Sequence, residues 1–103
     1  RGLGDVYKRQ RLIYIMGVLS DKDYEQMVQI LAPAADKIYT VAPDNPRALS
    51  SAQLCKCVSK YHQDVEERQR LAACLKEVKQ KADKDDVIII CGTLSFQNEL
   101  INQ

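Results

Sequence analysis

The stretch Leu12–Leu19 (LIYIMGVL) is almost continuously apolar, and this pattern decides the fold class. A strand with one wet face alternates apolar and polar side chains, whereas a strand of a parallel sheet that is buried on both faces does not. Val87–Cys91 (VIIIC) repeats the pattern, and Lys37–Ala42 (KIYTVA) is rich in β-branched and aromatic residues. We therefore predict three strands of a mainly parallel sheet, with Val87–Cys91 at its centre.

Segments with helical spacing of apolar residues lie between these strands. A first helix follows Ser20 and Asp23, which have the spacing of a capping box, and it runs to about Pro33. A second helix follows Ser50 and Gln53, which have the same spacing. The other predicted helices are Val65–Ala82 and Phe96–Gln103. The order β-α-β-α-α-β-α predicts an α/β sandwich with right-handed crossovers, and the small number of strands predicts that both ends are truncated.

The composition argues against several classes of function. The 103 residues carry 15 basic and 14 acidic side chains, a net charge of +1 that gives no reason to expect a nucleic-acid or membrane partner. The longest apolar run is too short to span a bilayer, and the first residues lack the apolar core of a secretory signal. We therefore expect a cytoplasmic protein.

Four cysteines raise the question of a metal site or of disulfides. Cys55 and Cys57 form a C-x-C, which places the two thiols on different faces of a helix, while Cys74 and Cys91 stand alone. The sequence has no C-x-x-C pair and one histidine, so we expect reduced thiols and no metal site. His62 lies between two predicted helices, and we expect it to face solvent and not to act as a base.

Three polar loops follow the predicted strands and lead into helices. They are Gly17–Asp23, Pro43–Leu49 and Gly92–Ser95. Ligands of an open parallel sheet bind at this carboxyl edge, where helix N-termini favour an anion. Thr93 and Ser95 add hydroxyl donors, and Arg47 is suited to a planar, bidentate carboxylate contact. These residues predict a site for a carboxylate or a phosphate. Helix capping and surface ion pairs are the alternative explanation for their presence. The sequence has no self-contained catalytic motif.

The three loops together resemble those of folylpolyglutamate synthases and bifunctional dihydrofolate synthases. Met16–Asp23 (MGVLSDKD) is similar to the G-[VM]-L-x-D-K-D segment of that family, and Ala42–Leu49 (APDNPRAL) is similar to its P-R loop. Asp86–Ser95 (DVIIICGTLS) is similar to its D-x-[VIL]-[VL]-[VI]-x-G-S-[LF] turn. The similarity extends from about Arg11 to Gln103. The Mur ligases of cell-wall synthesis, which share this type of C-terminal domain, and a stand-alone α/β binding module are the alternatives.

The resemblance implies a Rossmann-like three-layer α/β sandwich with a mainly parallel sheet, truncated on its N-terminal side. Residues 11–103 would be part of the C-terminal, glutamate-ligase type domain of an ATP-dependent amide ligase. In that family ATP phosphorylates a carboxylate of the folate or of its glutamate tail, and the amine of L-glutamate then attacks the acyl phosphate. ATP and Mg²⁺ would bind mainly in a separate N-terminal domain, so residues 11–103 alone would be inactive. The partners would be folate, L-glutamate and ATP.

The resemblance also implies roles for individual side chains. Thr93, where the family commonly has serine, and Ser95 would lie near the incoming glutamate. Arg47 would orient its own loop or a carboxylate of the substrate. The D-K-D residues, which would face the interdomain cleft, are Asp21, Lys22 and Asp23. No catalytic residue and no metal ligand is implied within this chain.

The first ten residues, RGLGDVYKRQ, are polar and basic and lack the regular spacing of apolar residues found in the rest of the chain. Asp5–Gln10 (DVYKRQ) is similar to a one-frame translation of the transposon-end adapter used in sequencing libraries, and the family similarity starts directly after it. We therefore interpret Arg1–Gln10 as a non-native, adapter-derived segment and exclude it from the fold, with a genuine basic linker as the alternative. Without this segment the chain has 12 basic and 13 acidic residues, a net charge of −1.

Overall fold

Four parallel strands form one sheet in the computed structural model, which describes residues 11–21 and 23–92. The strands are β1 (Leu12–Gly17), β2 (Lys37–Thr40), β3 (Val65–Glu67) and β4 (Val87–Gly92). Their order in the sheet is β3-β2-β1-β4. Ile15 of β1 lies opposite Tyr39 of β2 on one side and opposite Ile90 of β4 on the other. The prediction of an α/β fold with a parallel sheet is confirmed.

Helices cover both faces of the sheet. They are α1 (Tyr24–Leu31), continued by a 3₁₀ turn (Ala32–Ala34), α2 (Ser51–Val58) and α3 (Leu71–Lys81). As the chain moves from β1 through β2 to β3, α1 and α2 lie on one face, and on the return to β4, α3 lies on the other. This change of face is expected for right-handed crossovers. The three-layer prediction is therefore confirmed. No helix within residues 11–21 and 23–92 is long and apolar enough to cross a membrane.

The side chains of β1 alternate between two hydrophobic cores, which explains its continuous apolar run. Tyr14 and Met16 pack against α1 and α2, whereas Ile13 and Ile15 pack against α3. Met16 and Ile15 are both fully buried. A polar side chain at either position would lose its hydration without a hydrogen-bonding partner.

The prediction of one helix over Val65–Ala82 is wrong. Val65 pairs with Ile38 in the short strand β3, and helix α3 begins only at Leu71. A three-residue strand is too short to display a period of two. Its charged residues suit the edge of a sheet, where exposed charges discourage pairing with other chains.

The prediction that Val87–Cys91 forms the central strand is also wrong. Among the described strands β4 pairs only with β1, so it lies at the edge and β1 is central. Ile88 and Ile90 are partly buried against the α3 core, but Ile89, on the other face, is 36% exposed. A continuous apolar run indicates how apolar both faces of a strand are, but it does not indicate how many strands pair with it.

One of the two predicted capping boxes forms. The Ser50 hydroxyl accepts a hydrogen bond from the Gln53 N–H at 3.1 Å and caps α2. In contrast, Asp23 occupies the N-cap of α1 without a side-chain capping bond, and Ser20 lies in the preceding turn. The main chain of Ser20 pairs instead with Arg47, as described below.

We expect Ser50→Ala to lower the free energy of unfolding by about 1 kcal/mol, because the mutation removes the α2 cap. For a domain of this size, that loss lowers Tm by about 4–8 °C. Ser20→Ala is the matched control, since Ser20 is exposed and caps no helix. Urea unfolding of both variants measures the difference, and equal losses for the two would contradict the assignment of the cap.

An ion-pair network joins β3 to α3. Arg68 makes a bidentate contact with Glu77, from Nε to Oε1 and from Nη2 to Oε2, both at 2.8 Å. Lys81 approaches Glu77 at 2.9 Å, and Arg68 also binds Glu66 at 2.9 Å. The Arg68 guanidinium, with help from Lys81, lowers the pKa of Glu77 to about 2. Hydrogen bonds from Lys37 and Arg68 lower the pKa of Glu66 as well.

We expect the stability of the domain to fall as pH decreases from about 5 to about 2. A carboxylate whose pKa is lower in the folded state stabilises the fold above its unfolded pKa, and this contribution disappears on protonation. Glu77→Gln removes the largest of these contributions, so the urea midpoint of this variant should depend less on pH across that interval. A slope equal to that of the wild type would show that Glu77 does not couple folding to pH.

Candidate functional site

The carboxyl edge of the sheet is formed mainly by two loops. The β1–α1 loop comprises residues 18–23, of which Lys22 lies outside the described residues, and the β2–α2 loop comprises residues 41–50. Parallel strands end on the same side, so both loops emerge next to each other. This is the edge at which open α/β sheets bind ligands.

Main-chain hydrogen bonds join these two loops. Leu19 and Ala48 form an antiparallel bridge. The Ser20 N–H donates to the Arg47 carbonyl at 2.7 Å, and the Leu49 N–H donates to the Val18 carbonyl at 3.0 Å. Leu19 is buried beneath the contact. The two loops therefore hold each other in place by a short two-stranded ladder.

A turn inside the β2–α2 loop fixes the main chain of Arg47. The Asn45 side-chain oxygen accepts a hydrogen bond from the Arg47 N–H at 2.8 Å, and the Asn45 carbonyl accepts one from the Ala48 N–H at 3.0 Å. Pro43 and Pro46 restrict the backbone on either side. The P-D-N-P-R sequence thus builds a rigid turn whose last residue is Arg47.

The structure brings together two of the predicted site residues. The Arg47 Nη1 lies 2.7 Å from Asp21 Oδ2, and the two side chains are 62% and 48% exposed. Asp23, a third predicted residue, is exposed at the start of α1 and makes no capping bond. The predictions for Lys22, Thr93 and Ser95 concern residues outside the described part of the chain.

The end of β4 meets the β1–α1 loop at the same edge. Gly92 lies opposite Gly17, the last residue of β1. Its φ of 141° lies in a region that favours glycine, because a Cβ atom would collide with the neighbouring peptide there. Gly92 therefore lies at the edge of the sheet from which the two joined loops emerge.

The loop after β3 was not predicted, because the sequence pattern predicts a helix over Val65–Ala82 and gives no sign of the strand. Residues 68–70 reach the same edge, where the Gln69 carbonyl accepts a hydrogen bond from the Ala42 N–H at 3.0 Å. Together with Pro43 and Asp44, Gln69 and Arg70 line a cavity of about 280 Å³. No sequence motif marks this loop, and only its position after a strand would have identified it.

A chain of hydrogen bonds that runs from the buried Thr40 to the exposed Glu67 was also not predicted. The Thr40 hydroxyl donates to the Ser51 carbonyl at 3.0 Å, and the Ser51 hydroxyl donates to Glu67 Oε2 at 3.0 Å. Thr40 is fully buried at the end of β2. These bonds fasten the start of α2 to the ends of β2 and β3. The only sign of them in the sequence is Thr40, a polar residue within an otherwise apolar strand end.

The prediction that His62 faces solvent is wrong. The ring is half-buried, and Nε2 lies 2.8 Å from the Ala35 carbonyl while Nδ1 accepts the Asp64 N–H at 2.9 Å. These contacts assign the proton of the neutral ring to Nε2. They connect the segments that precede β2 and β3, so His62 lies at the amino edge, opposite the candidate site.

The four thiols are free and differ in exposure. Cys57 and Cys74 are buried, and Cys55 and Cys91 are half-buried. Burial raises the pKa of Cys74 to about 11 and that of Cys91 to about 12. Across residues 11–21 and 23–92, no group of three or more His, Cys, Asp or Glu side chains is arranged to hold a metal ion.

We expect one thiol of the native protein to react rapidly with a disulfide reagent near pH 8, and that thiol to be Cys55. Thiolates are the reacting species, so the raised pKa values slow Cys74 and Cys91, and burial shields Cys57. Cys55→Ser should abolish the fast phase, while all four thiols react in denaturant. A second fast thiol in the native state would contradict the packing described above.

The sequence profile of the family described as "Mur ligase, glutamate ligase domain" matches residues 1–94. The chain belongs to this family. Its membership confirms the resemblance found in the three loops at the level of the Mur ligase superfamily, a family of ligases.

The interpretation of Arg1–Gln10 as an adapter-derived segment stays a prediction, and those residues lie outside the described part of the chain. A comparison with curated proteins finds no match.

Solved structures of folylpolyglutamate synthases have the same fold as this Mur ligase domain. E. coli FolC in complex with DHPP and ADP superposes with a TM-score of 0.77 at 21% identity, covering 92% of this chain and 23% of FolC. Mycobacterium tuberculosis folylpolyglutamate synthase complexed with ADP gives a TM-score of 0.75 at 18% identity, covering 90% of this chain and 24% of that enzyme.

A third similar structure is a bifunctional folylpolyglutamate synthase/dihydrofolate synthase with Mn, AMPPNP and L-glutamate bound. Its TM-score is 0.70 at 19% identity, with coverage of 91% of this chain and 23% of that protein. The chain therefore spans about a quarter of the length of each matched enzyme. At these identities the likeness shows the fold.

Proposed function

We propose that this chain is part of the C-terminal, glutamate-ligase domain of a folylpolyglutamate synthase, which adds L-glutamate to tetrahydrofolate or to its glutamate tail. The observation that carries the proposal is the ladder between the β1–α1 and β2–α2 loops, which presents Arg47 at the carboxyl edge of the sheet. The three loop motifs support the folate branch of the superfamily, as does the likeness to folylpolyglutamate synthases.

In this proposal Arg47 binds a carboxylate of the incoming amino acid. A guanidinium presents planar pairs of N–H donors that match the two oxygens of a carboxylate. The Arg47 side chain is 62% exposed, so a ligand can reach it from solvent. Thr93 and Ser95, which follow the turn at Gly92, would donate hydroxyl hydrogen bonds to the same amino acid, and Lys22 and Asp23 would face the cleft.

The reaction we propose joins the amine of L-glutamate to an acyl phosphate of the folate, forming an amide as phosphate leaves. The domain contributes by holding the amino acid so that its amine is close to the acyl carbon. Restricting the nucleophile in this way lowers the entropic part of the barrier. The enzyme would act in the cytoplasm.

ATP and Mg²⁺ would be held mainly by the rest of the ligase. The described residues contain no grouping of acidic or histidine side chains suited to a metal, and the Asp21 carboxylate is already paired with Arg47. The described residues therefore do not fit a Mg²⁺ site, and in this proposal they contribute by holding the amino acid. For the same reason we expect this chain alone to release no ADP.

A Mur-type amino-acid ligase is the second candidate, because the matched family covers that branch as well. Such an enzyme would use the same domain to hold its amino acid, but the carboxylate that becomes the acyl phosphate would belong to a cell-wall precursor. The amino-acid site described here is common to both candidates, so the substrate that donates the acyl group distinguishes them.

The test is ADP release by the complete ligase that carries this domain, with ATP, Mg²⁺, L-glutamate and either tetrahydrofolate or a cell-wall precursor. We expect turnover with tetrahydrofolate. Thr93→Ala should raise the KM for L-glutamate about five- to tenfold, through loss of a hydrogen bond, with a smaller change in the KM for ATP. Thr93→Ser keeps the hydroxyl and is the matched control. Turnover only with the cell-wall precursor would refute the folate assignment, and an unchanged KM would remove Thr93 from the site.

A further inference from the structure

The Asp21–Arg47 ion pair engages one nitrogen of the arginine side chain, and in this it differs from a bidentate salt bridge. Among residues 11–21 and 23–92, its one hydrogen-bonded contact runs from Arg47 Nη1 to Asp21 Oδ2 at 2.7 Å. We propose that Asp21 is a positioning residue that holds the Arg47 guanidinium in the orientation in which it receives the carboxylate of the incoming amino acid. This inference rests on the function proposed above and assigns Asp21 a role through Arg47, without contact with the substrate.

The ion pair is not needed to hold the two loops together. The Leu19–Ala48 bridge and the hydrogen bond from Ser20 N–H to the Arg47 carbonyl already join the loops through the main chain. Ion pairs with both partners exposed to this degree contribute little to stability. The effect of Asp21 therefore falls on the Arg47 side chain, which has several rotatable bonds and many rotamers.

The single contact leaves the rest of the guanidinium fork available. Arg68 uses two nitrogens at once to bind both oxygens of Glu77. Arg47 uses one, and in the described part of the chain no other side chain hydrogen-bonds to its guanidinium. If Asp21 bound Arg47 as a substrate carboxylate would, its two oxygens would contact two guanidinium nitrogens. Asp21 instead restrains one end and leaves Nε and Nη2 for a second carboxylate.

An ordered arginine binds its ligand more tightly than a mobile one, because the rotamer entropy has already been lost. Asp21→Ala in the complete ligase should therefore raise the KM for L-glutamate about three- to tenfold, with the KM for ATP unchanged. Asp21→Asn keeps an oxygen that accepts from Nη1 and should restore most of the affinity. Asp83→Ala removes an exposed acidic side chain from the segment between α3 and β4, away from the carboxyl edge of the sheet, and is the matched control.

Three further measurements separate positioning from a merely structural role. In the ¹⁵N-labelled 103-residue chain, the heteronuclear NOE of the Arg47 Nε–Hε group should fall in Asp21→Ala and stay unchanged in Asp83→Ala. The urea midpoint should be the same for both variants. In an Arg47→Ala background, Asp21→Ala should have no additional effect on the KM for L-glutamate.

Each contrary result has a distinct meaning. If Arg47→Ala leaves the KM for L-glutamate unchanged, the proposed amino-acid site itself is wrong. If Arg47→Ala raises this KM and Asp21→Ala does not, only the positioning role is overturned. If Asp21→Asn and Asp21→Ala both lower it, Asp21 competes with the substrate carboxylate, which also overturns the inference.

Discussion

The burial of β1 on both faces is the constraint on which the rest of the structure depends. Its side chains alternate between the α1–α2 core and the α3 core, and its main chain pairs with β2 on one side and β4 on the other. The strand therefore determines where both helical layers lie. It also determines where the first loop leaves the sheet, because Gly17 ends the strand beside Gly92.

The candidate site follows from this arrangement without any special backbone geometry in the first two loops. The ladder between Leu19 and Ala48 transfers the rigidity of the sheet to residues that lie outside it. Arg47 is thereby exposed on a fixed main chain, which combines access for a ligand with a defined position. Binding residues on loops are most useful when a scaffold holds those loops, and here each loop supports the other.

The pattern of apolar residues was sufficient to predict the long strands. It could not predict a strand of three residues or a contact between residues that are far apart in the chain. The runs at Leu12–Leu19 and Val87–Cys91 predicted strands correctly, because burial on both faces leaves a clear signal. Strand β3 has three residues and shows no period. Asp21 and Arg47 were both expected at a ligand site, but their contact joins residues 26 positions apart and depends on the ladder, which no local pattern encodes. The ladder also engages the main chain of Ser20, which lies in the turn before α1 and does not cap that helix.

The ladder between the two loops is made by main-chain atoms, and this has a consequence for how the domain can diverge among relatives. Side chains at Leu19 and Ala48 can be exchanged for others of similar bulk while the N–H and C=O groups keep their partners. An insertion or deletion in either loop would shift those partners out of register and carry Arg47 away from Asp21. Evolution at this edge is therefore restricted in loop length more than in residue identity, and a change of length in one loop requires a compensating change in the other.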